Sequence, residues 1–173
     1  VMFDKMLKRD LVSWNILIST YSQNGEVQHV FLMLKKMEII QLAPDKTTFV
    51  SILSACSHGG YVDEGWFFFH YMQYAHDLTP SSDHYNCMID LLGRVGLKDE
   101  AEALINKMPV DPTVVTWMTL LGACRNQDDI VGGERAAERL LKLDAERSAP
   151  YVVLSNIYAN SLTFDPREIV TPV

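Results

Sequence analysis

An aromatic residue recurs along this chain at an almost constant spacing, and that spacing constrains the fold more than any other feature. Intervals of 35, 36, 32 and 34 residues separate Trp14, Phe49, Tyr85, Trp117 and Tyr151. The same period, at intervals of 35 and 36, separates Gly25, Gly60 and Gly96. Repetition at a fixed period of this size is typical of stacked helical hairpins, which share one continuous core.

The unit at 82–109 shows the predicted hairpin most clearly. Steps of three or four residues, as on one helical face, separate Tyr85, Met88, Ile89, Leu92 and Val95. A second helix, predicted to follow a turn at Gly96-Leu97 and to end at Pro109, is lined by Ala101, Leu104, Ile105 and Met108. We therefore predict an all-α fold, a right-handed α-solenoid of stacked helix-turn-helix repeats.

The repeat divides the chain into successive units. Residues 1–10 are predicted to be the second helix of a truncated repeat, and 162–173 to be an irregular tail with two prolines. Complete units are predicted at 11–45, 46–81, 82–113 and 114–147, followed by the first half of another at 148–161. In the first complete unit, the helices are expected near residues 13–24 and 27–40.

The charge of the chain limits the kinds of partner it can bind. The formal net charge is −7, and no unit carries a basic block. A general nucleic-acid surface is therefore not expected, because its affinity would come from many lysines and arginines. No apolar run reaches the roughly 18 residues of a membrane span. No targeting peptide is visible, and the sequence has the character of a piece of a longer chain.

The cysteines are predicted to be structural. The three include no CxxC pair, and Cys56 in LSAC occupies the same place in its unit as Cys124 in LGAC. Free cysteine is usually a small buried residue, so we expect both thiols to be shielded and too far apart to pair. Reduced thiols also fit an intracellular or organellar compartment.

Two familiar catalytic motifs are missing from the sequence. The five histidines stand singly, and none belongs to an H-x-E motif followed by P-C-x-x-C, the arrangement that zinc-dependent base deaminases use. No serine or cysteine lies in a nucleophile elbow. We therefore predict that the chain is not an enzyme and that it holds neither a metal nor a cofactor.

Five segments together resemble the pentatricopeptide repeat family: VSWNILISTYSQNG, TTFVSILSACSHGGYVDEG, HYNCMIDLLGRVGLKDEAEALINKMP, TWMTLLGACR and YVVLSNIYANS. They are similar, more narrowly, to the plant subclass that alternates standard, long and short repeats and ends in E motifs. On that resemblance, 11–45 is a standard (P-type) repeat, 46–81 a long (L-type) one and 82–113 a short (S-type) one. Residues 114–147 resemble the first E motif, and 148–161 part of the second.

The resemblance implies binding of single-stranded organellar RNA, one base per repeat. The family reads a base with the fifth and last residues of a repeat, which here are Asn15 with Asp45, and Asn86 with Thr113. Val12 takes the second position, which wedges against the base. Asp45 also fits the N-cap of the following helix, and the two roles can coexist.

The other units depart from this pattern. The 46–81 unit has Val50 and Ser81 at these positions, and an aliphatic fifth residue cannot make the hydrogen bonds of the code. The E-like units have Met118 and Val152, which fits the association of E motifs with partner proteins and editing activity.

Two functions follow as alternatives. One is a sequence-specific RNA-binding module of an RNA editing or processing factor in mitochondria or chloroplasts, whose E-like region recruits protein partners. The other is a protein-docking scaffold that recruits such partners without reading RNA. The Asn15/Asp45 pair favours the first, whereas the negative charge and the aliphatic positions favour the second for the C-terminal half.

Two apolar regions carry further expectations. In the aromatic run at 66–71 and beyond, Trp66, Phe69 and Met72 are expected to pack inside the hairpin. A second stripe, expected to pack on the adjacent repeat or to remain exposed for a partner, comprises Phe67, Tyr71 and Tyr74. If the tail forms no helix, fraying or self-association is expected at the face formed by Tyr151, Leu154, Ile157 and Tyr158.

Overall fold

The computed structural model describes residues 10–126, 129–143 and 149–161. The helices in these residues are α1 Leu11–Gln23, α2 Val27–Ile39, α3 Lys46–Gly59, α4 Val62–His76, α5 Ser82–Arg94, α6 Lys98–Asn106, α7 Val114–Asn126, α8 Ile130–Leu143 and α9 Ala149–Ser161. This part of the chain contains no strand, as the all-α prediction requires. None of its helices combines the length and the apolar character needed to cross a membrane.

The helices lie in two layers. The first helix of each hairpin packs on the first helix of the next, so that α1, α3, α5, α7 and α9 form one layer, the first-helix layer. Each of α2, α4, α6 and α8 contacts both its hairpin partner and the first helix of the following hairpin. The predicted solenoid of stacked hairpins is confirmed, and its first helices bring their N-termini to one edge of the layer.

The turn inside three of the hairpins depends on glycine. Gly25, Gly60 and Gly96 have φ angles of 74°, 71° and 92°. A side chain with a Cβ atom rarely adopts this left-handed conformation, so the glycine period in the sequence marks where the chain reverses.

Two residues predicted to line helices lie just outside them. Helix α5 ends at Arg94, and Val95 is its C-cap, 39% exposed, because the Leu97 N–H closes the turn on the Leu92 carbonyl at 2.8 Å. Helix α6 ends at Asn106, so Met108 packs on the core from the following segment. Pro109 explains the second correction, since it disfavours helical geometry at the residue before it.

The core runs continuously through the described hairpins. Side chains that the solvent scarcely reaches include Ile18, Met37, Phe49, Ile52, Met72, Met88, Leu92, Ile105 and Leu121. Cys56 and Cys124 are 0% and 1% exposed, which confirms that both are buried, and neither forms a disulfide.

The aromatic run on α4 is divided between the core and the surface. Phe69 and Met72 are buried as predicted, Trp66 is half-buried, and Phe68 joins them although the predicted stripe omitted it. In the second stripe, the Tyr71 hydroxyl donates to the Glu38 carboxylate of α2 at 2.7 Å. The other two members, Phe67 and Tyr74, are 58% and 88% exposed. Tyr71 therefore ties the second stripe to the preceding hairpin, while Phe67 and Tyr74 stay largely exposed.

Helix α9 covers the end of the described array. Ile157 is fully buried and Leu154 is half-buried against the core, whereas Tyr151 and Tyr158 are 57% and 38% exposed. The apolar face predicted to lack cover is therefore partly covered by α8 and α7. The predicted truncated repeat, apart from Asp10, and the predicted tail at 162–173 lie outside the described residues.

Candidate nucleic-acid interface

Asn15 and Asp45 meet at the edge where the first helices begin. Asn15 lies on α1, and Asp45 immediately precedes α3, its neighbour in the first-helix layer. The Asn15 amide nitrogen donates to Oδ1 of Asp45 at 3.0 Å. Lateral packing of α1 on α3 thus joins two residues 30 positions apart in the sequence.

Asp45 also caps α3. Its Oδ1 accepts the Thr48 backbone N–H at 2.9 Å, and its own backbone N–H donates to the Thr48 hydroxyl at 3.1 Å. This reciprocal arrangement is a capping box, which satisfies backbone donors that the helix leaves unpaired. The expected capping role of Asp45 is therefore confirmed, and it occurs together with the contact to Asn15.

The Asp45 carboxylate is held in its charged form. Partial burial raises its pKa, but hydrogen bonds that include those from the Thr48 backbone N–H and the Asn15 amide outweigh that effect, so the net pKa is lowered. At neutral pH the site therefore presents a carboxylate that only accepts hydrogen bonds, beside an amide that can also donate them.

A groove opens beside this pair. It has a volume of about 570 Å³ and is lined by Val12, Asn15, Ile16, Ser19, Thr20, Gln23, Asp45, Thr47 and Ser51. Val12, at the position expected to wedge against a base, is 64% exposed, and Ile16 one turn further is 63% exposed. Among the described residues, the lining contains apolar side chains, amides, hydroxyls and the Asp45 carboxylate but no lysine or arginine.

The second predicted pair, Asn86 and Thr113, is connected through a third residue. Thr116, the third residue of α7, donates its hydroxyl hydrogen to Oδ1 of Asn86 at 2.8 Å. The Thr113 backbone N–H and hydroxyl each lie 3.2 Å from the same Thr116 oxygen. The structure thus brings both predicted residues to one place but gives them no direct hydrogen bond within the described part of the chain.

The 46–81 unit is built differently at the equivalent place. Val50 is half-buried and offers no polar side chain, and the third residue of the next first helix is His84, which is fully buried. His84 Nε2 donates to the Lys46 carbonyl at 3.0 Å, while Nδ1 accepts the Ser81 backbone N–H at 3.1 Å. Burial, the largest effect, lowers the pKa of His84, so this fixed neutral tautomer is favoured.

Sequence reasoning missed the three side chains at this third helical position: Thr48, His84 and Thr116. A signal was available, because each follows an N-cap residue by three positions, as in the pairs Asp45/Thr48 and Thr113/Thr116. That spacing is the signature of a capping box. It does not show, however, that the threonines also reach the preceding first helix.

The fifth positions of the E-like units hold apolar residues. Met118 is half-buried beside a small polar groove that also contains Asp90, Arg94 and Arg125. Val152 is 59% exposed on α9. Neither side chain can form the hydrogen bonds that Asn15 and Asn86 form. In residues 10–126, 129–143 and 149–161, no cluster of three or more His, Cys, Asp or Glu side chains could hold a metal ion.

Comparison with protein-family models identifies the repeats. The model described as the PPR repeat family matches residues 9–58, and the model described as the PPR repeat matches residues 47–75 and 83–111. Together these matches span residues 9–75 and 83–111.

Similar proteins occur in Arabidopsis thaliana. A mitochondrial pentatricopeptide repeat-containing protein is 43% identical over 96% of this chain, and a chloroplastic one is 43% identical over 92%. The chain spans 26% and 22% of the lengths of these two relatives, so it corresponds to about a quarter of each.

Solved structures show the same fold. A crystal structure of the maize pentatricopeptide repeat protein PPR10 superposes with a TM-score of 0.74 at 24% identity, covering 90% of this chain and 23% of PPR10. The same protein in complex with an 18-nucleotide psaJ RNA element gives 0.77 at 19% identity, covering 91% and 24%. The repeat matches, the relatives and the shared two-layer fold agree, and the chain belongs to the pentatricopeptide repeat family.

Proposed function

We propose that this chain is a sequence-specific, single-stranded RNA-binding module of an organellar RNA editing or processing factor. The observation that carries the proposal is the contact between Asn15 and Asp45 at the mouth of an open groove. These are the two positions at which the family resemblance places base-reading residues. The RNA complex of maize PPR10, whose fold this chain shares, supports the same assignment.

The groove suits a base rather than a phosphate. Val12 offers an exposed apolar surface against which the face of a base can pack, and the Asn15 amide offers a donor for its edge. The carboxylate of Asp45 would repel a phosphate, and the lining residues that the structure describes include no lysine or arginine to offset that repulsion. We therefore expect recognition by base contacts, with Val12 as the wedge.

Affinity of the isolated chain is expected to be low. The net charge of −7 gives little gain from counterion release, and few complete units are present to add base contacts. We expect dissociation constants of about 1 μM or weaker, equivalent to roughly −8 kcal/mol or less favourable. Selectivity at one base, rather than overall affinity, is therefore the informative quantity.

The arrangement of units extends the proposal. We assign 11–45, 46–81 and 82–113 as standard, long and short repeats, and 114–147 with 148–161 as E-like segments. Asn86 and Thr113 form a second base-reading site, linked through Thr116. The names of the Arabidopsis relatives support a mitochondrial or chloroplast location. Binding without catalysis by this chain is the role that we propose for it.

A graft tests the proposal. Residues 11–81 would replace two consecutive units of a longer RNA-binding array of the same family. The array would then be titrated with four RNAs that differ only at the base facing the 11–45 unit. We expect a preference for uracil of about 1 kcal/mol or more, since a good base contact contributes about 1–3 kcal/mol. Asn15→Ala should remove that preference, and the array without the graft serves as the control.

The alternative is a protein-docking scaffold, and one observation favours it for the C-terminal half. At the position that Asn15 takes in its unit, the C-terminal half has Met118, which is half-buried, and Val152, which is 59% exposed. That half therefore presents apolar side chains where Asn15 offers an amide. If the graft bound all four RNAs equally and Asn15→Ala changed nothing, the 11–45 unit would be a spacer. The docking role would then be the better description of the whole chain.

A further inference from the structure

The same hydrogen bond joins neighbouring first helices at two places. The Thr48 hydroxyl donates to Oδ1 of Asn15 at 2.6 Å, and the Thr116 hydroxyl donates to Oδ1 of Asn86 at 2.8 Å. Each threonine is the third residue of its helix, and each asparagine lies on the first helix of the preceding hairpin. The contact therefore belongs to the boundary between two hairpins.

The hydrogen of the Thr48 hydroxyl has two oxygens within reach, and the geometry selects one of them. Oδ1 of Asn15 is 2.6 Å away and Oδ1 of Asp45 is 2.9 Å away. The Asp45 oxygen already accepts hydrogen bonds from the Asn15 amide and the Thr48 backbone N–H. Oδ1 of Asn15 accepts from no other described residue, so the Thr48 hydrogen points to Asn15.

This bond fixes which way round the Asn15 amide lies. With its oxygen bound to Thr48, the amide turns its nitrogen to Asp45, and one of the two amide hydrogens is used there. The second hydrogen remains for a ligand in the groove. If the amide were turned over, its oxygen would face the Asp45 carboxylate and the two acceptors would repel each other.

The middle boundary shows what happens when no amide is present. Val50 replaces the asparagine, and the third residue of the following helix is His84, whose Nε2 donates to the Lys46 carbonyl at 3.0 Å. A hydroxyl therefore occupies this position at the two boundaries where an amide requires orientation. At the middle boundary the longer side chain of His84 reaches past Val50 to the Lys46 carbonyl instead.

We propose that Thr48 and Thr116 are positioning residues for base selection, each of which orients the amide of the preceding repeat so that an N–H donor faces the RNA. The proposal rests on the proposed function for its role in base selection, but the orientation of the amide does not depend on RNA. Thr48 is fully buried, which puts it out of reach of a base in the groove, so it acts through Asn15.

The first experiment needs no RNA. In the full 173-residue chain, Thr48→Val removes the hydroxyl at nearly constant shape, and Thr48→Ser retains it. Nuclear magnetic resonance would follow the two side-chain amide hydrogens of Asn15. In Thr48→Val we expect their exchange with water to become roughly fivefold faster, as for the loss of one typical hydrogen bond. Thr48→Ser should stay close to the unaltered chain.

Thr116→Val is the matched variant at the other boundary. It should accelerate exchange at the Asn86 amide and leave Asn15 unchanged, which a general loosening of the fold would not do. It also provides the same test if Thr48→Val fails to fold. The proposal would be overturned if, in a folded valine variant, the adjacent asparagine amide kept both its exchange rate and its orientation.

The second experiment measures base selection. The same full-length variants would be titrated with uridine and cytidine octamers, and the ratio of the two dissociation constants compared. We expect Thr48→Val to reduce a preference for uridine roughly fivefold, and Thr48→Ser to restore it. A preference that survived Thr48→Val would overturn the positioning role. Equal binding of both octamers by the unaltered chain, unaffected by Asn15→Ala, would instead overturn the proposed function and with it any role in selection.

Discussion

Gly93 of α5 and Ala123 of α7 face each other so closely that a Cβ atom added to Gly93 would overlap the Cβ of Ala123. Neither atom can rotate away, because each is fixed to its helix backbone. Gly93→Ala should therefore push two first helices apart and lower the free energy of unfolding by about 1–3 kcal/mol, as overpacking does. Urea unfolding followed by circular dichroism would measure the change.

Two controls distinguish this contact from an effect of glycine itself. Gly122 lies inside α7 with no atom within 4 Å of an added Cβ, so Gly122→Ala should be neutral or raise stability by up to about 1 kcal/mol. Adding Ala123→Gly to Gly93→Ala should recover part of the loss. If Gly93→Ala and Gly122→Ala had the same effect, close approach of the helices would not be the cause.

His84 should make stability depend on pH below neutrality. Burial, the largest effect, lowers the pKa of His84, and the positive charge of Lys46 acts in the same direction. The hydrogen bond to the Lys46 carbonyl and the negative charge of Asp83 oppose it but do not outweigh it. The unfolded chain therefore binds the proton more readily than the folded one. The contribution of neutral His84 is complete above the unfolded pKa of about 6.5 and is lost as pH falls below it.

The measurement is the free energy of unfolding between about pH 7.5 and pH 5. His84→Gln should flatten the decline over that range, although it lowers stability at neutral pH by removing two hydrogen bonds. His29→Gln is the control, because His29 lies exposed on α2 and should leave the decline in place. Parallel declines in the unaltered chain and in His84→Gln would show that other groups are responsible.

The buried thiols should react slowly in the native protein. Burial raises the pKa of Cys56 to about 12 and that of Cys124 to about 11, and the reactive thiolate is therefore scarce as well as shielded. We expect a thiol reagent at about pH 7.5 to label neither residue rapidly until urea is added. Single-cysteine variants would assign the signals. Rapid native labelling, or a disulfide between Cys56 and Cys124, would contradict this arrangement.

Asp45→Asn should change the base preference without unfolding the repeat. Asparagine is as good an N-cap as aspartate, so the cap of α3 should persist. It replaces an acceptor-only carboxylate by an amide that can also donate, and the preference should move from uracil toward cytosine by about 1 kcal/mol. Titration of the grafted array with the four RNAs measures this shift. A uracil preference of undiminished size would show that Asp45 acts only as a helix cap.

The exposed aromatics of α4 should matter little for folding. Phe69 is 5% exposed, and Phe69→Ala should cost about 3–5 kcal/mol, as expected for a large buried ring. Tyr74 is 88% exposed, and Tyr74→Ala should change stability by no more than about 0.5 kcal/mol. Thermal unfolding of the two variants tests the division of α4 between core and surface. Similar losses of stability in both variants would refute that division.

Local patterns are enough to predict the helices but not the exact residues at which they begin and end. The helices expected near 13–24 and 27–40 are Leu11–Gln23 and Val27–Ile39. The period of apolar residues continues through Val95, yet the positive φ of Gly96 ends α5 before it. Periodicity reports which residues can share a face, whereas the end of a helix depends on where the backbone finds its last hydrogen bonds.

For the candidate site, the sequence indicates the two residues of the pair but not the side chain that connects with them from the next hairpin. The family spacing indicated Asn15 and Asp45, and the structure places them in contact. The contact of Thr48 with Asn15 could not be predicted, because it spans 33 residues and exists only once α1 packs on α3. A sequence pattern shows that Thr48 follows an N-cap, but lateral contacts between hairpins depend on how the helices pack in three dimensions.

The bond from Thr48 to Asn15 also bears on how such proteins are recombined. If single repeats are moved as cassettes, a cassette of residues 11–45 contains the Asn15 amide but not the Thr48 hydroxyl that we propose orients it. The residue at the equivalent position of the next cassette would then decide how the amide lies. Two arrays with identical cassettes in a different order would then differ in selectivity at unchanged bases. Cutting after Thr48 would keep donor, acceptor and carboxylate in one transferable piece.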